Sequence, residues 1–134
     1  MKKKYLVAYV QMFYFLLTAV WPFVHLESFL KITGPKTDIW LVKTVSLLIL
    51  PYVFLILYVL KIRRSALVML VIILCSAGLA GIDLYYYIHD VIRWTYMIDF
   101  ILEVTFIVYW IFIIRSVSQK SLSKYKDFIL NALI

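Results

Sequence analysis

A single cysteine, Cys75, leaves no partner for an intrachain disulfide. Its position inside an apolar run reads as a small packing residue. With only three glycines and three prolines in 134 residues, there is no Gly-rich phosphate loop. There is likewise no CxxC pair and no nucleophile elbow. Internal repeats and low-complexity segments are missing too. No tight spacing such as His-x-x-x-His occurs, so no metal site is assigned, although His25, Asp83, Asp99 and Glu103 are of N/O ligand type. No cofactor is expected. Acidic residues are scarce, seven against fourteen Lys and Arg. The surplus base does not point to nucleic acid, because it sits at the ends of apolar runs rather than on a soluble domain.

What is abundant is apolar surface. Hydrophobic residues make up 66% of the chain and mean hydropathy is +0.99, against roughly 45–50% apolar residues in soluble domains. A single soluble core of this size cannot hide that surface, whereas lipid can. A spanning helix needs about 20 mostly apolar residues, and four segments qualify, at about 5–26, 39–60, 66–88 and 92–114. They are too long, and too little alternating, for barrel strands. The first exceeds the 7–15-residue core of a signal peptide, lacks an A-x-A site and ends in Trp21-Pro22-Phe23, so it reads as retained.

With the N-terminus inside, ten Lys and Arg fall on inner segments and four on outer ones (Lys31, Lys36, Lys43 and Arg93). The bias places both termini in the cytoplasm. Short loops at Thr33-Gly34-Pro35-Lys36, Lys61-Ile62-Arg63-Arg64 and His89-Asp90 force neighbouring helices to lie antiparallel. The expected fold is therefore all-α, a polytopic membrane protein with a four-transmembrane-helix up-down-up-down bundle, forming one domain over 1–134. In the tail, 115–134, Leu122, Tyr125, Phe128, Ile129 and Leu133 follow the helical period, which predicts a short amphipathic helix on the inner surface. Ala77 and Gly81, four apart on the third run, predict close helix packing. Pro51 lies inside the second run as a candidate kink.

The distribution of acids is the informative feature. Only Asp127 is on the inner side. Glu27, Asp38, Asp83, Asp90, Asp99 and Glu103 all fall in the outer half. Glu103 lies about 15 Å along the helix from Arg93 at 1.5 Å per residue, near the bilayer centre. An ionisable group there must face the bundle interior. Asp99 is one turn outward on the same face. Two carboxyls so close in low dielectric resist ionising together, so the pair is expected to hold a proton or a compensating cation. Asp83 on the third run, His25 and Glu27 at the end of the first and Lys43 at the start of the second complete a polar outer layer. Trp21, Trp40, Tyr87 and Tyr96 are the candidate pocket aromatics around it. Each has a plainer role as well: the aromatics as an interfacial belt, Lys43 as a snorkelling side chain and His25 as a hydrogen-bonded helix end.

The residues Trp21-Pro22, Thr33-Gly34-Pro35-Lys36, Asp38, Trp40-Leu41-Val42 and Thr44-Val45 resemble an uncharacterised family of small bacterial four-helix membrane proteins. The resemblance implies the topology and a bacterial inner-membrane location, and carries no activity. The architecture is also similar, at fold level alone, to sterol-isomerase and sigma-2-type four-helix membrane proteins, and fold does not imply function.

Three functions are compatible with these features. The first is an acidic, aromatic-lined site that binds or transforms a small lipophilic molecule, with Glu103 as the buried acid. The second is proton- or cation-coupled transport by a homodimer. The third is an accessory subunit whose acids pair with a partner membrane subunit.

Overall fold

The computed structural model describes residues 5–132, and side chains as far as Gln119. Every regular element in that range is helical: α1 (Leu6–Val24), α2 (Leu26–Thr33), α3 (Ile39–Lys61), α4 (Ala66–Ile88) and α5 (Thr95–Ala132). Four of the five are long and apolar enough to cross a membrane, the last over Thr95–Gln119. Only 22–28% of the most apolar stretch of each is buried inside the protein. Many of the remaining apolar side chains, such as Phe13, Leu48, Phe54, Leu74 and Phe112, are exposed. Lipid is the solvent for such a surface.

Buried positions recur at spacings of three and four on every long helix. They are Ala8, Gln11, Phe15, Ala19 and Pro22 on α1, and Ser46, Ile49, Val53, Ile56 and Val59 on α3. On α4 they are Met69, Ile72, Ser76, Ala80 and Asp83. Glu103, Phe106, Trp110 and Ile113 continue the pattern on α5. This is the seam of helices packed at a shallow angle, each lining up its a/d-type positions. The end contacts order the helices. Lys43, at the start of α3, sits over the Phe23 ring near the end of α1 at 5.8 Å. Arg64, just past α3, sits over Tyr5 at the start of α1 at 5.2 Å. Ser76 and Asp83 on α4 meet Glu103 and Asp99 on α5 respectively. The apolar core fills the level of Phe15, Ile56, Ile72 and Trp110, and Asp99 and Glu103 lie nearer than Trp110 to the Thr95 end of α5.

The structure differs from the sequence-based expectation in three places. The first apolar run is α1, which ends because His25 leaves helical conformation at φ −150°, ψ 77°, and a second helix, α2, follows it directly. The His25 ring Nδ1 accepts from the Ser28 backbone N–H at 3.2 Å while the Ser28 hydroxyl donates to the His25 carbonyl at 3.0 Å. The pair caps α2, a helix where only an outer loop was expected. The fourth run does not end at Arg115: α5 continues without a break to Ala132, so the tail is not a separate helix. The face formed by Leu122, Tyr125, Phe128, Ile129 and Leu133 lies outside the described side chains. Finally, Gly78 and Gly81 have no neighbour within 4 Å of a Cβ built on them, so the small residues face outward and do not bring helices of this chain together. Pro51 is exposed within an uninterrupted α3.

Facing can be tested directly. Phe15 is buried edge-on against Phe106, with ring centroids 6.5 Å apart, and its neighbour Phe13 points outward. Phe15→Ala should cost about 3–5 kcal/mol and Phe13→Ala less than about 0.5 kcal/mol. Thermal unfolding in detergent should show this as a large and a negligible drop in Tm.

Candidate functional site

α5 supplies the spine of the site. Asp99 and Glu103 are four residues apart and project from one face, about 6 and 12 Å below Thr95 at 1.5 Å per residue. α1 brings Tyr14 to this face, where its hydroxyl donates to Asp99 Oδ1. α4 brings Asp83, whose carboxyl lies against that of Asp99. Glu103 is fully buried and Asp83 almost so. Among the described residues, Asp83 Oδ2 and both Glu103 oxygens have no hydrogen-bond partner. A buried polar atom without a partner normally costs about 1–3 kcal/mol, more when charged, so this cluster is a costly feature that packing alone does not account for.

Below Glu103 the polar line continues through residues the sequence reading had not selected. The Trp110 indole Nε1 donates to Gln11 Oε1 at 2.6 Å, and Gln11 Nε2 donates to Ser76 Oγ at 3.0 Å. The order is fixed by chemistry: indole can only donate, so the amide oxygen must face it. Ser76, already accepting from Gln11, keeps its own hydrogen for the Glu103 carboxyl beside it. All three groups are buried. A signal was present, since Gln11 is the only side-chain amide within the four apolar runs.

Beside the acids, α1, α2 and the beginning of α5 enclose a cleft of about 310 Å³. Leu17, Trp21, Phe29, Ile98 and Leu102 give it apolar walls, and Asp99 with Tyr14 supplies the polar end. α2 forms one side and is fastened at its far end. Arg93 Nη1 donates to the Lys31 carbonyl at 3.2 Å, and the Thr95 hydroxyl to the Ile32 carbonyl at 3.3 Å. Gly34 makes the first of these feasible. It has φ +98°, and a Cβ there would meet Arg93 Nε at 3.2 Å, so a side chain is excluded on both counts. At the near end, Trp21 Nε1 donates to Ser28 Oγ at 2.7 Å and the Trp21 ring meets Phe29 edge-on.

Of the residues singled out from sequence, Asp83, Asp99 and Glu103 come together, and Trp21 and Tyr96 line the cleft. Others stand apart. His25 is exposed and caps α2, and Glu27 is exposed in the first turn of α2. Lys43 stacks on Phe23, while Trp40 and Tyr87 are exposed and do not line the cleft. Among the described residues no three His, Cys, Asp or Glu side chains are grouped to hold a metal ion. Compared with protein-family models, curated proteins and solved structures, the chain matches none.

The Trp110–Gln11 bond predicts a measurable coupling. A double-mutant cycle of Gln11→Leu with Trp110→Phe, read by unfolding in detergent, should be non-additive by roughly 0.6–1.7 kcal/mol, the range for interhelical hydrogen bonds in membranes.

Proposed function

We propose that this is a bacterial inner-membrane protein which binds or transforms a small lipophilic molecule in the cleft between α1, α2 and α5. The observation that carries the reading is the union of an apolar, aromatic-walled cleft with a carboxylate at its inner end, backed by two further buried carboxyls. Apolar walls with a few convergent polar groups are the usual make-up of a small-molecule site. In this reading the four long helices form an up-down-up-down bundle with both ends cytoplasmic. The Lys43–Phe23 and Arg64–Tyr5 contacts and the excess of Lys and Arg at the Arg64 end support that arrangement. The cleft then opens in the outer half of the membrane.

Proton- or cation-coupled transport is the second reading. It is favoured by the Gln11–Ser76–Trp110 line, which carries polarity inward past Glu103. It ranks lower because that line ends in an amide and an indole, neither of which takes up and releases protons.

Two experiments bear on this. Native mass spectrometry of the protein released from lipid should show a retained small molecule in the wild type. Thr18→Trp, which fills the cleft, should remove it; retention in that variant would place the ligand elsewhere. For orientation, Thr37→Cys and Ile62→Cys in a Cys75→Ser background are treated with an impermeant maleimide on intact spheroplasts. Labelling is expected at 37 and not at 62, and the reverse pattern would invert the topology.

A further inference from the structure

The acceptors at this site outnumber the donors. Tyr14 spends its hydroxyl hydrogen on Asp99 Oδ1, and Ser76 has one hydrogen to offer Glu103. Asp83 Oδ2 and both Glu103 oxygens lack directed partners, in side chains 6% and 0% exposed respectively. Three carboxyls packed together cannot all ionise unopposed, and an ionised carboxylate only accepts, so N–H groups carrying positive charge would complete the place. Of the described cations at this end of the bundle, Lys43 lies over Phe23, Lys36 over the Tyr96 ring at 5.0 Å, and Arg93 is bonded to the Lys31 carbonyl. Among the described residues the carboxyls are not grouped to ligate a single metal ion. The cleft reaches Asp99 alone of the three acids, and its lining is mostly apolar, with Thr18, Thr33 and Thr95 among it.

From this complementarity we infer that the ligand of the cleft is a lipophilic amine. Its ammonium group bonds to Asp99 at the inner end, and its hydrocarbon part lies between Trp21, Phe29, Leu17 and Ile98. An ammonium brings three N–H donors and a full positive charge. Asp99 takes the direct contact. Asp83, against Asp99, and Glu103, one turn deeper, act on the same charge through a medium of low dielectric. Ser76, set by Gln11 and Trp110, keeps the Glu103 carboxyl in place behind it. A neutral alcohol of the same length would fill the apolar part and leave the carboxyls as they are. A fatty carboxylate would bring a further acid against three carboxyls and be repelled. A volume of about 310 Å³ is at the small end of ligand pockets, which favours a single short chain or ring system.

The inference rests on the cleft being a ligand site, and the test separates the two. The protein in nanodiscs of zwitterionic lipid is titrated calorimetrically with n-octylamine, n-octanol and octanoate, with empty discs subtracted. The expected result is octylamine binding at least tenfold tighter than octanol, with no binding of octanoate. Asp99→Asn should weaken octylamine at least tenfold and leave octanol unchanged. Glu103→Gln, which keeps the shape and polarity of the side chain without its acid, should weaken octylamine in the same direction. Thermal unfolding of each variant confirms its fold. Equal binding of octylamine and octanol, or octylamine binding unaffected by both variants, overturns the amine assignment and leaves the cleft as a site for neutral lipophiles. Absence of binding by all three probes overturns both.

Discussion

The position of Glu103 constrains the rest of the structure. A carboxyl group midway along an apolar helix cannot face lipid without a cost of a few kcal/mol, so it fixes the rotation of α5. Once Glu103 points inward, Asp99, Phe106, Trp110 and Ile113 follow on the same seam, because they stand four, three, seven and ten residues away. The neighbours must then answer a polar stripe with polar groups. α4 does so with Ser76 and Asp83, and α1 with Gln11 and Tyr14. α3 carries no partner for the carboxyls; its buried positions are apolar apart from Ser46. The bundle thus divides into three helices that share a polar interior and one that closes its apolar side.

Much of the frame was legible in the chain. Length, apolarity and the flanking bases define the four spans, and the structure moves the first three boundaries by two residues at most. The acid cluster was legible as well, because charge inside an apolar run stands out against its surroundings. What escaped was set by weaker or more distant signals. α2 depends on a two-residue exchange of hydrogen bonds between His25 and Ser28, and on Gly34 accommodating Arg93 from 59 positions further along the chain. Neither feature has a period. Tyr14 and Trp110 resemble the many other aromatics of the chain, several of which are exposed. Only their hydroxyl and indole partners on other helices distinguish them. The outward face of Gly78 and Gly81 shows the converse: a spacing suited to close packing has no helix of this chain against it.

The polar interior is asymmetric, and the asymmetry bears on function. Toward the Thr95 end of α5 it ends in Asp99, a half-buried carboxyl that reaches a mostly apolar cleft roofed by a fastened helix. Toward the start of α1 it ends in Gln11 and Trp110, a bond of 2.6 Å between fully buried groups. Between those ends, Asp99 to Trp110 covers about 16 Å at 1.5 Å per residue, roughly half of a hydrocarbon layer about 30 Å thick. The buried positions beyond are Ala8, Val59, Met69 and Ile113, with the partly buried Tyr58 and Tyr109 packed beside them, and none of these is an acid or base that titrates near neutral pH. A transported ion would have to pass that level, whereas a ligand of the cleft needs only to reach Asp99.

The direction of the hydrogen bonds carries the argument one step further. Each donor in the inner chain points toward the Glu103 side: Trp110 to Gln11, and Gln11 to Ser76, which lies beside the carboxyl. Dipoles aligned in this way present their positive ends in that one direction. They cannot reverse, because an indole has no acceptor to offer. A chain that relays protons must turn its dipoles over after each transfer. This one is locked in a single sense, which suits a fixed electrostatic backing for a site above it and does not suit a conduit. The packing of Trp110 deep in the bundle, far from the cleft in sequence and in depth, therefore has its consequence at the outer site, through the orientation of one amide.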